Sequence, residues 1–193
     1  MTIRHAALQY HLFLRPGKIT VSATRPMRGP DDLALAYSPG VDSVCTRLVT
    51  HPTDVRELTA RGNLVGVITN GSAVLGLGAI GPLAAKPVME GKVVLFKELA
   101  GIDAFDLELA ENDVDKLVNM IAALEPTFGA ISLEDIRAPD CFHLEARLRA
   151  RMGIPVFHDD QHGTAIVVAA ALLNALELTG KRIDQIRLVT CGA

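Results

Sequence analysis

Beyond residue 60, short apolar runs rich in branched side chains alternate with longer segments whose apolar positions recur at helical spacing. That alternation predicts βαβ units built around a parallel sheet. The expected strands are Leu64–Thr69, Val93–Lys97, Gly129–Leu133, Ile154–His158 and Arg187–Thr190, each bounded by Gly, Pro or acidic residues. Between them, Val114, Leu117, Val118, Ile121 and Leu124 fall on one helical face, with Asn112 or Asp113 as cap and Pro126 as stop. Cys141–Met152 predicts a second helix, with Leu144 and Leu148 inward, arginines outward and Gly153 ending it. Gly163–Leu178 predicts a third, apolar on most faces and therefore expected to be buried between layers or domains.

The N-terminal part is less patterned. Arg15-Pro16-Gly17-Lys18 followed by Ile19-Thr20-Val21 reads as a turn entering a short strand. Arg4, Arg15, Lys18, Arg25 and Arg28 precede the first acid, Asp31. Organelle transit peptides share that bias, but the segment lacks their serine-rich amphipathic character. A basic surface beside an anionic substrate is the reading taken.

Composition narrows the classes. A chain of 193 residues, 49% apolar, with 19 basic and 22 acidic side chains and a net charge of −3, describes a soluble globular protein: one sizeable domain, or one domain plus part of another. The small net charge and 4% aromatic content speak against nucleic acid as a partner. The longest apolar stretch, Ala165–Leu173, resumes after Asn174 only as far as Leu178. That falls short of the ~20 residues that span a bilayer, so no membrane helix is expected. Cys45, Cys141 and Cys191 form neither an even framework nor a CxxC pair, which predicts packed, reduced thiols and a cytoplasmic location.

Candidate chemistry gathers at two expected strand ends, Ile131-Ser132-Leu133-Glu134-Asp135 and Val156-Phe157-His158-Asp159-Asp160. Parallel sheets carry their sites at that edge. Glu134, Asp135 and one of Asp159 or Asp160 brought close together would repel unless a cation joined them, and oxygen ligands favour Mg²⁺ or Mn²⁺. His158 and His162, four residues apart, also allow zinc, although hydrogen bonds to the neighbouring acids suit a loop better. The six acids of residues 103–115 read as a solvated loop with acids near a helix N-terminus. Gly76-Leu77-Gly78-Ala79-Ile80-Gly81 matches GxGxxG, but Pro82 follows and no acid ends a second strand at the right distance. A turn and helix start packed close to the sheet is expected there instead. Tyr37 and Lys92 stand out as groups needing burial or a nearby charge to act near neutral pH. At the far end, Ile186–Thr190 reads as a strand entering Cys191-Gly192-Ala193, where a dinucleotide-binding turn would begin.

The segments RPGK (15–18), DLALAYSPGV (32–41), TARGNLVGVITNGSAVLGLGAIG (59–81), KPVMEGKVVLFK (86–97), EPTFGAISLEDI (125–136) and IPVFHDDQHGTAIVVAAALLNAL (154–176) together resemble the N-terminal part of malic enzymes, of the compact bacterial kind often fused to a phosphotransacetylase-like domain. The resemblance implies an α/β fold: a parallel-sheet substrate and metal domain over 1–162, then over 163–193 the first helix and strand of a truncated Rossmann-like NAD(P) domain. It assigns Tyr37 as general acid, Lys92 as general base, Glu134, Asp135 and Asp160 as ligands of Mg²⁺ or Mn²⁺, and Gly192 to the cofactor turn. The implied reaction is oxidative decarboxylation of (S)-malate through oxaloacetate to pyruvate and CO₂ with NAD⁺ or NADP⁺, in a homodimer or higher homo-oligomer. The larger eukaryotic members carry an arginine at the position of Ala73 that holds a substrate carboxylate; here that carboxylate must be bound otherwise. Two alternatives stand beside this reading: a catalytically incomplete module that dimerises and binds metal and dicarboxylate, and a nucleotide-independent oxaloacetate decarboxylase.

Overall fold

The computed structural model describes residues 2–12 and 15–190. The chain divides into two compact units, residues 1–157 and 158–193. In the first, helices α1 (Ile3–Leu12), α2 (Pro30–Ala36), α3 (Val41–Thr50) and α4 (Val55–Leu58) precede the sheet. There follow β1 (Leu64–Thr69), α5 (Pro82–Ala100), β2 (Asp103–Glu108), α6 (Val114–Ala122), β3 (Ala130–Leu133), α7 (Asp140–Arg151) and β4 (Val156–His158). The strands form one sheet in the order β2-β1-β3-β4, and β1 pairs in parallel with both β2 and β3.

Alternation along β1 sends successive side chains to opposite faces. Ile68 joins the larger core with Leu117, Val118 and Ile121 of α6, Ile131 and Leu133 of β3, and Leu144 and Leu148 of α7. Val67 turns the other way and packs against Met89 and Val93 of α5, with Ile19 and Phe96 beside them. Helices therefore cover both faces, which is what allows β1 to read as a nearly unbroken apolar run. Each fully buried Ile or Leu in such a core contributes about 1.5–3 kcal/mol relative to exposure.

The helix over residues 114–122 forms as expected, and Asp113 is its cap: its side chain accepts from the Lys116 N–H at 3.1 Å. The second predicted helix is α7. Val93–Lys97, by contrast, is not a strand but the second half of α5. Ala85, Met89 and Val93 are buried at four-residue spacing, Pro82 occupies the first turn, and Gly101 ends the helix in the left-handed region. A short branched run does not by itself separate a strand from a buried helix turn; the Pro and Gly at its far ends do. The acidic segment is likewise no loop at its start. Asp103–Glu108 is strand β2, at the sheet edge, where acidic side chains discourage pairing with another chain.

Ile19–Val21 and residues 186–190 are irregular, because among the described residues neither finds a strand to pair with. Ile19 instead packs against the apolar face of α5. Cys141 is buried as expected, but Cys45 is exposed on α3, and Cys191 lies outside the described residues.

The second unit opens with a π-helical turn, Asp159–Gly163, and continues as α8 (Thr164–Thr179). The helix lies where expected, yet none of its residues is buried: Ile166, Val167 and Leu173 are each more than 60% exposed. The expectation of a buried helix is corrected, since among the described residues its apolar faces remain uncovered. By length and composition alone, the 21-residue stretch Asp159–Thr179 is also sufficient to cross a bilayer. Counting only unbroken apolar residues missed this, because Asn174 interrupts the run without lowering its mean hydropathy far. Helices enclosed in larger soluble proteins have the same composition.

Candidate active site at the sheet edge

The connection from β1 passes to β2 on one side, whereas β3 lies on the other, so the strand order reverses beside β1. Such switch points open a crevice at the C-terminal strand ends. Two loops meet there, residues 70–74 after β1 and 134–137 after β3. The Glu134 N–H donates to the Ile68 carbonyl at 2.9 Å, and the Ala73 N–H to the Asp135 carbonyl at 3.0 Å. The Ser72 hydroxyl donates to Asn70 Oδ1 at 2.6 Å and accepts from the Arg137 N–H at 2.9 Å.

Glu134 and Asp135 are buried at this edge, 6% and 7% exposed. Asp135 has a φ of 53°, the one non-glycine in the left-handed region among the described residues. A carboxylate held in that sparsely populated region, with its backbone tied to the neighbouring loop, is a sign of a constrained functional position. Lys92 does not precede a strand, as the sequence suggested, but projects from the middle of α5. Its Nζ lies 3.2 Å from Glu134 Oε1, and it stands 5.9 Å from the centre of the Phe96 ring. The Ser132 hydroxyl donates to the same Glu134 oxygen at 2.9 Å. Two adjacent buried carboxylates form a hard-oxygen donor set that suits a divalent cation of the Mg²⁺ type. Among the described residues, no three His, Cys, Asp or Glu side chains form a ready-made metal cluster.

The structure thus joins Lys92 to Glu134, with Asp135 adjacent in sequence. It does not bring Tyr37 to them. Tyr37 ends α2, is 70% exposed, and among the described residues its hydroxyl makes no hydrogen bond. Asp160 belongs to the π-helical turn of the second unit, and Gly192 lies outside the described residues.

The GxGxxG stretch is a tight turn leading into a helix. Gly76, Gly78 and Gly81 all have positive φ, Val74 and Gly78 exchange backbone hydrogen bonds at 2.9 and 2.8 Å, and Gly81 caps α5. Beside it lies a cavity of about 390 Å³, lined by Asn70, Ser72, Gly81, Glu111, Asn112 and Arg137 among others.

One charged group escaped the sequence reading. Lys86 on α5 lies 2.6 Å from Asp106, 3.6 Å from Glu108 and 3.9 Å from Glu90. Burial pulls the Lys86 ammonium down, but its hydrogen bond to Asp106 and the surrounding carboxylates outweigh this and hold it above the ordinary lysine range. Burial, reinforced by a hydrogen bond to Asp106, pushes the Glu108 carboxyl up to about 7. Glu108 Oε1 is buried without a hydrogen-bond partner. The two-residue spacing of Asp106 and Glu108, which puts both on one face of a strand, was the available signal. It was hidden by reading the segment as a loop.

Comparison with known proteins agrees with this architecture. The family model for the malic enzyme N-terminal domain matches residues 16–112 and 106–149. The chain belongs to the malic enzyme family. It is 60% identical over 191 residues to an NADP-dependent malic enzyme of Haemophilus influenzae, and 59% identical over 191 residues to an NAD-dependent malic enzyme of Rhizobium meliloti. Each match covers 99% of this chain and 25% of the relative, so the chain spans about a quarter of the length of these malic enzymes. The crystal structure of a malic enzyme from Pyrococcus horikoshii superposes with a TM-score of 0.91 at 49% identity, covering 96% of this chain and 43% of that one. The α/β fold with its parallel sheet is that of the family.

Proposed function

We propose that this chain carries the substrate and metal half of an enzyme that oxidatively decarboxylates (S)-malate to pyruvate and CO₂ with NAD⁺ or NADP⁺. The observation that carries the reading is the contact of Lys92 with buried Glu134, next to Asp135, at the switch point of the sheet. Relatives named as NADP- and as NAD-dependent malic enzymes support both nicotinamide cofactors equally.

In this reading Glu134 and Asp135 hold Mg²⁺ or Mn²⁺, and the resemblance assigns Asp160 to the same ion. Such an ion supplies Lewis acidity toward a substrate oxygen. Lys92 would accept the proton of the malate hydroxyl while the carbon bearing that hydroxyl gives up hydride to the nicotinamide, leaving a carbonyl. After carbon dioxide departs, Tyr37 returns a proton to the enol carbon; that role rests on the resemblance alone. Residues 163–193 begin the nucleotide domain, the resemblance assigns Gly192 to cofactor binding, and the working protein is a cytoplasmic homo-oligomer.

Calorimetric titration of Mn²⁺ into the purified chain, with oxalate present as an enolpyruvate mimic, tests the reading. Saturable binding that disappears in a Glu134→Gln, Asp135→Asn variant is the expected result. Equal heats from the folded variant would overturn the ligand assignment.

A further inference from the structure

Ser132 occupies a place where the pattern of the sheet calls for an apolar side chain. It pairs across the ladder with Val67, which packs against Met89 and Val93 of α5, and residues opposite one another on neighbouring strands share a face. Its own neighbours Ile131 and Leu133 are 1% and 0% exposed, and Ser132 itself is 4% exposed. A buried hydroxyl costs free energy unless it is bonded. Among the described residues this one bonds only Glu134 Oε1, at 2.9 Å.

We propose that Ser132 is a positioning residue for Glu134, its buried hydroxyl fixing the orientation in which that carboxylate meets a divalent cation. The inference rests on the reading of Glu134 as a metal ligand. The terminal torsion of a glutamate is broad, so a carboxylate without directional partners rotates through many planes. Here a neutral hydroxyl and the Lys92 ammonium converge on one oxygen, from β3 and from α5. Two contacts of different origin on a single atom define both the position of that oxygen and the plane of the group. Ser132 also lies two residues before Glu134, and β3 ends between them at Leu133, so the carboxylate folds back onto its own strand. The anchor is therefore part of the sheet rather than of a mobile loop. Hydrogen bonds that orient a ligand in this way typically change metal affinity by about 10–100-fold when removed.

The test is Mn²⁺ affinity of the whole chain, read by calorimetry and by the electron paramagnetic resonance signal of free Mn²⁺, with thermal unfolding measured alongside. Ser132→Ala is expected to weaken binding about tenfold or more while leaving the metal-free unfolding midpoint within a few degrees, and Ser132→Thr, which keeps the hydroxyl, to restore most of the affinity. Ser132→Cys, nearly isosteric but a weak donor, takes the place of alanine if that variant does not fold, and is expected to lose affinity likewise. Wild-type affinity in Ser132→Ala or in folded Ser132→Cys overturns the inference, as does equal weakening in the alanine and threonine variants. Mn²⁺ binding of wild-type strength in Glu134→Gln, or none in the parent chain, instead removes the ligand reading on which the inference rests.

Discussion

Lys92 Nζ and Glu134 Oε1 lie 3.2 Å apart, and this contact ties the middle of α5 to the loop after β3. The two residues are 42 positions apart in the chain (134 − 92) and meet only because α5 covers the face of the sheet from whose edge Glu134 projects. Lys92→Ala is therefore expected to reduce Mn²⁺-dependent release of pyruvate from oxaloacetate by about 10²-fold or more, the usual contribution of a positioned acid–base group. A coupled assay for pyruvate measures it, and an unchanged rate would sink a part for Lys92 in the decarboxylation half of the reaction.

Glu108 makes stability depend on pH in a definite direction. Its carboxyl stands at about 7 in the fold against an ordinary 4.5, so the folded chain holds a proton that the unfolded chain releases. The native state binds more protons between these values, and stability from this group is complete below about 4.5 and lost as pH rises through 7. Glu108→Gln keeps the position neutral. Its unfolding midpoint is expected to exceed that of the parent at pH 8 by roughly 2–4 °C, for about 1 kcal/mol after allowance for solvent screening, with the gap closing toward pH 5. Thermal scans at both pH values check the sign.

Gly71 sits in the loop that approaches the site, with a φ of +64°, and donates its N–H to Thr69 Oγ1 at 2.9 Å. A β-carbon there would run into the backbone carbonyl of Gly81. Gly71→Ala is expected to destabilise by about 2 kcal/mol or more, since backbone strain and overlap act together. Urea denaturation gives the value, and a midpoint equal to the parent's would contradict this close approach.

Asp113→Ala removes the side-chain cap of α6 and exposes the Lys116 N–H. About 1 kcal/mol of stability should be lost, visible in urea denaturation, whereas Asp113→Asn should keep most of it.

The sequence by itself determined the parts that depend on local pattern. β1, β3, α6 and α7 follow from runs of branched residues, helical spacing and caps, because each of these signals acts within a few residues along the chain. The carboxylates Glu134 and Asp135 were legible for the same reason, as acids at the end of an apolar strand. The branched run Val93–Lys97 does not by itself separate strand from helix, and the tertiary structure shows it as helix, with Val93 packed beside Val67 of β1. It alone showed that Asp103–Glu108 is an edge strand whose Asp106 and Glu108 surround Lys86, 20 and 22 residues away (106 − 86, 108 − 86). It alone also brought Lys92 to Glu134 and gave Ser132 its reason to be polar. These relationships are set by burial, by the pairing of distant strands and by the cost of leaving a charge or hydroxyl unsatisfied in the interior, and such forces act across space rather than along the chain.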